Sequence, residues 1–262
     1  MRRDESLLVD FNTEVAKGIY HLRLHRTDPL YASLPAPGQF AMVQVREGAS
    51  PLLRRPLSYL YAGEDHVEFL YRVVGVGTRI LSQAKPGNTL NVLGPLGKGF
   101  HLSKAQNNAI LVAGGMGMPP MYFLALELKK APTMGIRIIC GAKTDADMAL
   151  EGRLESEKTL LYRATEDGSM GFKGKASDLV KRLLQEGEKP DVIYSCGPHA
   201  MLKTVADLAR SEKIPCEVSV EANMACGIGA CLGCAVPTAE GYYLQVCEDG
   251  PVFDAKMIFG GE

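Results

Sequence analysis

The first hundred residues alternate apolar and polar side chains over short segments, as in residues 18–24 and 67–73. Turn-forming residues such as glycine and proline separate these segments at 35–38, 62–65 and 86–88. A period of two is typical of strands that turn one face to a core and the other to water. Short strands that recur at regular spacing predict an antiparallel β-barrel.

The pattern changes after Phe100, where short apolar runs alternate with segments of helical periodicity. Continuous apolar runs of this length are typical of buried parallel strands. We predict strands at 109–113, 136–140, 192–195 and 217–220 and helices at 120–130, 177–185 and 199–211, with Ser177 as the N-cap of the second helix. Such alternation favours a doubly wound parallel α/β domain.

The predicted architecture has three regions: an N-terminal antiparallel β-barrel at 1–101, a doubly wound parallel α/β domain at 102–221, and a small C-terminal module at 222–262 that is rich in loops and cysteines. The uncharged stretch 109–126 is nearly long enough to span a membrane. Several glycines and the pair Pro119–Pro120 lie within it, and they would break a spanning helix. A strand, a glycine turn and a helix explain this stretch better.

Charge and targeting signals narrow the classes of function. The formal net charge is −1, which favours neither nucleic acid nor an anionic membrane surface as a partner. The chain shows no secretory signal pattern. Four of its seven cysteines crowd near the C-terminus, which indicates a metal site rather than disulfides and a reducing, cytoplasmic location.

The crowded cysteines are Cys226, Cys231, Cys234 and Cys247, with the spacing C-x4-C-x2-C followed by a distant fourth cysteine. This is the plant-type spacing of a [2Fe–2S] cluster, in which each iron takes two thiolates. Glycines between the first three cysteines let the backbone wrap closely around such a cluster. The alternatives are reduced core thiols and structural zinc, although zinc sites prefer two C-x2-C pairs and only one is present.

Two further motifs fall at predicted strand ends of the α/β domain. Gly114, Gly115 and Gly117 follow a strand, and Pro120 lies in the helix that comes next. Backbone N–H groups at such a helix start can receive a pyrophosphate, although a plain strand–helix turn would look the same. The turn Cys196-Gly197-Pro198 ends another strand, at the sheet edge where α/β folds bind ligands.

In the barrel, the segments 54–59, 70–73 and 75–78 combine arginines with Ser58 and Thr78. A guanidinium offers two N–H groups to a phosphate, and the hydroxyls add short hydrogen bonds. Tyr59 and Tyr71 are candidates for stacking on a ring system. Each segment alone is weak evidence for a cofactor site. Their order along the chain, with the glycine motif and the C-G-P turn downstream, strengthens this prediction.

Together these motifs resemble the ferredoxin reductase superfamily, in which a barrel binds flavin through R-x-x-S and G-x-G-T elements and an α/β domain binds a nicotinamide dinucleotide. The cysteine module, with residues 221–231 and 249–253, is similar to that of the electron transfer subunits of bacterial NAD-linked dihydroorotate dehydrogenases. The resemblance implies FAD at Arg55, Pro56, Leu57, Ser58, Leu70, Tyr71, Arg72, Gly77 and Thr78, and NAD over Gly114, Gly115, Gly117 and Pro120 with its nicotinamide near Cys196 and Gly197.

The resemblance also implies a relay, in which NAD(H) exchanges a hydride with FAD and the [2Fe–2S] cluster passes single electrons between this FAD and an FMN. That FMN would lie in a separate catalytic subunit that oxidises dihydroorotate in pyrimidine biosynthesis, in a heterotetramer with two copies of each subunit. The chain itself shows no recognisable dihydroorotate site and no required general acid, base or nucleophile. Glu221 would either approach the flavin or remain a solvated loop acid.

Three alternatives stay open on the sequence. The same modules would suit an NAD(P)H:ferredoxin oxidoreductase or a hydrogenase-associated diaphorase subunit, although Cys226 favours the dihydroorotate dehydrogenase relay because some of those relatives carry aspartate there. A zinc-stapled binding module is the third.

For the nucleotide, Lys143 would attract a 2′-phosphate whereas Asp145 or Asp147 would repel it, and we expect NAD rather than NADP.

Overall fold

The computed structural model describes residues 2–26, 34–46, 48, 50–131, 135–154 and 159–261. Six strands form a closed antiparallel barrel in the order β1-β2-β5-β4-β3-β6. They are β1 (Arg3–Ala16), β2 (Ile19–His25), β3 (Phe40–Gln44), β4 (Arg55–Ala62), β5 (His66–Arg72) and β6 (Thr89–Leu96), and a short helix α1 (Val76–Leu81) lies between β5 and β6. The barrel predicted from the alternating pattern is therefore confirmed.

The barrel closes because alternate side chains of its strands meet inside it. Leu22 and Leu24 of β2 and Phe69 of β5 are fully buried there. Tyr59 and Tyr71 belong to the same buried cluster, and Tyr59 packs against Phe69 with ring centroids 5.1 Å apart. Both tyrosines are thus core residues of the barrel, and the expectation that their rings stack on a ring system stays a prediction.

The second region is a parallel sheet with helices on both faces. Its elements are β7 (Asn108–Gly114), α2 (Met118–Leu128), β8 (Gly135–Ala142), β9 (Thr159–Thr165), β10 (Phe172–Lys173), α3 (Ala176–Gln185), β11 (Val192–Cys196), α4 (His199–Ser211) and β12 (Cys216–Ser219). The apolar side chains of α2 cover one face, whereas those of α3 and α4 cover the other. This is the predicted doubly wound α/β fold.

The predicted helix bounds need two corrections. The first helix, expected at 120–130, spans Met118–Leu128. Ser177 lies inside α3 rather than capping it, because the helix begins at Ala176 after Lys175. The Asp178 carboxylate accepts a hydrogen bond from the Lys175 N–H at 3.0 Å, which satisfies one free backbone donor at the helix start. An acid three residues into a helix can thus replace the hydroxyl that sequence reasoning looked for.

The C-terminal region contains β13 (Ala235–Pro237) paired with β14 (Tyr243–Gln245), then β15 (Val252–Asp254) and α5 (Ala255–Phe259). β15 pairs antiparallel with β12 and so completes a seven-stranded sheet, β10-β9-β8-β7-β11-β12-β15, within the described residues. The sequence did not predict this strand. The boundaries at residues 101 and 221 stay a prediction.

The apolar stretch 109–126 divides between β7 and α2, with a glycine turn between them, as expected. α2 lies between the sheet and the barrel, because its Phe123 is buried in the barrel core cluster while Met121 and Leu124 face the sheet. Within the described ranges, no helix has both the length and the apolar character needed to cross a membrane.

Candidate cluster and cofactor sites

The four clustered cysteines form two pairs. Cys234 and Cys247 are buried, with their sulfur atoms 3.3 Å apart. Cys226 and Cys231 lie beside each other on the outer side of the loop, where Cys231 is exposed. The fourth cysteine thus returns from beyond β14 to meet the third, and the arrangement supplies two thiols at each of two positions.

Backbone N–H groups point at these sulfurs. Ile228 N–H donates to Cys226 at 3.5 Å, Gly229 N–H to Cys247 at 3.2 Å, and Gly233 N–H to Cys231 at 3.4 Å. Such donors stabilise negative charge on sulfur. Burial opposes ionisation of Cys226, but the N–H donors and the neighbouring Cys231 outweigh it and lower the pKa of its thiol to about 7.

The loop can wrap this closely because of its glycines. Gly227 adopts a φ of +72°, and a Cβ there would lie 2.5 Å from the Met42 side chain of β3. The loop therefore lies directly on the barrel, and a larger residue would lift it away. This close approach ties the cysteine module to the flavin-type barrel.

The paired sulfurs fit a [2Fe–2S] cluster, which takes two thiolates on each iron. A structural zinc needs four ligands around one point. Among the residues that the structure describes, no three Cys, His, Asp or Glu side chains converge as ligands of one ion. The donor set thus suits a two-iron cluster better than a zinc staple.

In the barrel, the start of β4 meets the start of α1. A Cβ on Gly77 would overlap the Arg55 guanidinium, so only glycine lets this arginine lie over the turn. Thr78 Oγ1 accepts hydrogen bonds from the N–H groups of Val74 and Gly75 at 2.9 and 3.2 Å, which fixes the same turn. The arginine of the R-x-x-S element thus lies beside the G-x-G-T turn, and a guanidinium suits a phosphate.

The segment Leu70–Arg72 ends β5 beside this site. Leu70 is buried, and the buried Tyr71 donates a hydrogen bond to Asn12 Oδ1 at 2.9 Å. Burial raises the pKa of Tyr71 well above its ordinary value. Arg72 instead faces the α/β domain, where its Nη1 lies 2.9 Å from Asp147 Oδ1.

A cavity of about 620 Å³ lies at the carboxyl ends of β7, β8 and β9. Gly114 and Gly115 line it, together with Arg72 from the barrel. The remaining lining residues come from the strand ends and the starts of α3 and α4, and include Met116, Lys143, Asp147, Glu166, Lys175, Ser177, Pro198 and Thr204. Its position matches the usual ligand site of an open α/β sheet, and its size suits a dinucleotide.

The other expected nicotinamide residues lie next to this cavity without lining it. A Cβ on Gly117 would overlap the Cys196 carbonyl, so the glycine turn packs directly on the Cys196-Gly197 backbone. Pro120 is buried in the first turn of α2. Burial, with the nearby Glu221 charge, raises the pKa of Cys196 to about 12. Glu221 is exposed as a residue, and partial burial of its carboxyl raises the pKa of that group.

The two acids expected to repel a 2′-phosphate are placed differently from each other. Asp145 is exposed and does not line the cavity, and Asp147 is paired with Arg72. Glu166, which sequence reasoning missed, lines the cavity and has no ion-pair partner among the described residues. It directly follows β9, so the rule that ligands meet strand carboxyl ends could have identified it.

Comparisons with known proteins agree with this geometry. Residues 221–259 match the family model described as the iron-sulfur cluster binding domain of dihydroorotate dehydrogenase B. A solved NADH-dependent reduced ferredoxin-NADP oxidoreductase superposes with a TM-score of 0.83 at 28% identity, covering 96% of this chain and 89% of that chain. A ferredoxin reductase of carbazole 1,9a-dioxygenase, at 18% identity and a TM-score of 0.67, covers 82% of this chain and 67% of that chain and shows the same fold.

Relatives cover nearly the whole chain. A Geobacillus sp. (strain WCH70) protein named dihydroorotate dehydrogenase B (NAD(+)), electron transfer subunit, is 41% identical over 98% of this chain and 99% of its own length. The protein of the same name from Desulforamulus reducens is 38% identical over 93% of this chain and 94% of its own length. The chain therefore belongs to the family of the electron transfer subunits of dihydroorotate dehydrogenase B.

Proposed function

We propose that this protein passes electrons between NAD(H) and the FMN-containing catalytic subunit of a dihydroorotate dehydrogenase, through FAD and a [2Fe–2S] cluster, in cytoplasmic pyrimidine biosynthesis. One observation carries the proposal. A guanidinium–glycine site, a dinucleotide-sized cavity and four paired cysteines occur on a single chain, and relatives named as this subunit match it over nearly its full length.

The cofactors supply the electron chemistry, because a flavin accepts two electrons together and releases them singly whereas the cluster carries one at a time. The residues of the chain bind these cofactors and orient them. Arg55 offers its guanidinium to a flavin phosphate beside Gly77, and the N–H groups after Gly114 receive the dinucleotide pyrophosphate. Packing of Gly117 on Cys196 fixes the site where the nicotinamide would lie.

The charge on Glu166 supports NAD as the nucleotide, against the opposite charges of Lys143 and Lys175, which line the same cavity. A carboxylate without an ion-pair partner at the end of β9 repels a 2′-phosphate and can accept a hydrogen bond from a ribose hydroxyl. Asp147 contributes little to this discrimination, because Arg72 neutralises it.

Electrons leave the chain for its partner through the cluster loop. Its outer side carries the exposed Cys231 with two exposed apolar neighbours, Ile228 and Leu232, and 62% of the Leu232 surface is accessible. Apolar side chains around an exposed redox ligand suit a protein surface that docks there. We place the catalytic subunit on this loop, in a heterotetramer with two copies of each chain.

Purification and anaerobic reduction test the proposal. The chain purified with its native partner should carry FAD, iron and sulfide, and the partner should carry FMN. Excess NADH should bleach the flavin of this chain even without the partner. A colourless protein, or a flavin that NADH does not reduce under anaerobic conditions, would contradict the proposal.

The likeness to the NADH-dependent reduced ferredoxin-NADP oxidoreductase favours one second candidate, a subunit that serves ferredoxin or a related carrier. The same modules would then face a different partner. Identification of the co-purified partner separates the two: an FMN protein that oxidises dihydroorotate supports the first function, and an iron–sulfur carrier of the ferredoxin type supports the second.

A further inference from the structure

Arg72 and Asp147 form an ion pair that joins the barrel to the α/β domain. Arg72 is the last residue of β5, and Asp147 ends the short turn Asp145–Asp147 that follows β8. Arg72 Nη1 and Asp147 Oδ1 are 2.9 Å apart, and the two side chains are 31% and 29% exposed. The pair is thus half-buried and bridges residues that are far apart in the sequence.

Asp147 is held in place on its own side. Its second oxygen, Oδ2, accepts a hydrogen bond from the Thr144 hydroxyl at 3.2 Å. The hydrogen bond from Arg72 holds the pKa of Asp147 below its usual range, against the opposing effect of burial. The carboxylate is therefore ionised, with one oxygen on Arg72 and the other on Thr144, which fixes its direction.

The pair lies where the two cofactor regions meet. Arg72 follows Leu70 and Tyr71, the segment expected at the flavin, and it also lines the dinucleotide cavity with Gly114 and Gly115. Beneath the pair, a small gap is lined by Leu70 from the barrel and by Gly115 and Asp147 from the α/β domain. The flavin-side strand and the glycine turn thus adjoin at this ion pair.

We propose that Asp147 is a positioning residue for the reaction between the nicotinamide and the flavin. It holds the Arg72 guanidinium at the domain junction and so fixes β5 against the turn that follows β8, beside the glycine turn. The inference rests on the proposed function. In the step concerned NADH gives up a hydride, a proton with two electrons, and the flavin takes it, so NAD⁺ and reduced flavin are the products.

We expect such an ion pair to fix the relative position of the two domains rather than to add much to the stability of the fold. A half-exposed ion pair adds little to the free energy of folding because water screens it. Hydride transfer, in contrast, needs the reacting atoms within about 3–3.5 Å, and a small misplacement slows it strongly. Without the carboxylate, β5 would lose this anchor on the α/β domain.

The test uses the full chain loaded with FAD and measures anaerobic flavin reduction by NADH in a stopped-flow instrument. Limiting rate and apparent NADH affinity are obtained separately for wild type, Asp147→Asn, Asp147→Glu and Asp145→Asn. Asp145 provides the matched control, because it lies on the same turn with the same charge but is exposed and outside the cavity.

We expect Asp147→Asn to lower the limiting rate about 10-fold while the apparent Kd for NADH changes less than about 3-fold. Asp147→Glu should restore most of the rate, and Asp145→Asn should match wild type. An unchanged limiting rate in Asp147→Asn would overturn the inference, as would an equal loss in Asp145→Asn or a loss confined to NADH affinity. Failure of wild type itself to react would instead overturn the proposed function.

Discussion

At the scale of single residues, cysteine has two roles in this chain: some cysteines pack in the core, and others are candidate cluster ligands. Cys216 is buried, and burial raises the pKa of its thiol to about 12, so it is an inert part of the core. Cys226 has N–H donors at its sulfur, and the pKa of its thiol falls to about 7. Burial and the neighbouring Cys234 also raise the pKa of the Cys247 thiol to about 12, despite the N–H donor from Gly229. The pairing of cysteine sulfurs, more than the pKa of each thiol, therefore marks the candidate cluster ligands.

Replacement of Cys231 by serine should abolish the cluster, because the second thiolate of the outer pair is lost. Iron and acid-labile sulfide should fall to background, and electron transfer from NADH to the catalytic subunit should stop. The control is Cys216→Ala, which removes a thiol outside the cluster and should keep full iron content. Normal iron and sulfide in Cys231→Ser would contradict the assignment.

Replacement of Arg55 by alanine should weaken FAD binding, because a charge-assisted hydrogen bond to phosphate contributes about 1.5–3 kcal/mol, or roughly 10- to 100-fold in Kd. Equilibrium titration of the flavin-free protein measures this. Arg54→Ala is the matched control, since the Arg54 guanidinium is bound to Asp4 at 3.1 Å and not to the Gly77 turn. Equal affinity of wild type and Arg55→Ala would remove Arg55 from the flavin site.

At the scale of elements, the glycine turn between β7 and α2 depends on contact with a neighbouring strand end. Gly117 lies so close to the Cys196 carbonyl that a side chain cannot fit between them. The first turn of α2 thus sits on the C-G-P turn after β11. Two sequence-distant loops thereby become one surface, and this surface forms the floor of the predicted nicotinamide site.

We expect Gly117→Ala to separate these two loops. The overlap should cost about 1–3 kcal/mol of stability, seen as a lower Tm, and should slow flavin reduction by NADH more than it weakens FAD binding. Gly152→Ala is the control, because a Cβ there meets nothing closer than 3.8 Å. A Gly117→Ala protein with wild-type Tm and reduction rate would show that the close approach has no role.

Sequence reasoning succeeded at this scale where the signal was local. The spacing of Cys226, Cys231 and Cys234 fits a single loop, and the structure confirms that Cys247 returns to it. The burial of Tyr59 and Tyr71 could not be predicted, because barrel register decides which side chains point inward, and register depends on strand pairing across the barrel. The Arg72–Asp147 pair could not be foreseen, since it depends on how two domains pack.

At the scale of the whole molecule, the cluster loop is the part of the relay that faces outward. The inner cysteines Cys234 and Cys247 are buried, whereas Cys231 and Leu232 are exposed. The loop rests on the barrel through Gly227 and Met42. Electrons that leave the flavin-binding barrel would therefore reach the surface through a short and firmly supported segment.

Leu232→Asn should weaken docking of the catalytic subunit about 10-fold, because burial of a leucine contributes about 1.5–3 kcal/mol. Asparagine tolerates the positive φ of 59° at this position, so the loop should keep its shape and its iron. Sedimentation or surface binding would measure the affinity, and flavin bleaching by NADH should not change. Leu160→Asn, at a leucine 52% exposed on β9, is the control. If Leu232→Asn bound the catalytic subunit as tightly as Leu160→Asn does, the interface would lie elsewhere.

The strand β15 gives the cysteine module a second role. It pairs with the outer edge of β12, which would otherwise present unpaired N–H and C=O groups to a strand of another molecule. A chain cut at residue 221 would lose this cover as well as its cluster, and its exposed edge would invite aggregation. The segment that makes this protein a one-electron carrier is thus also part of its nucleotide sheet, and the two properties cannot be separated by simple truncation.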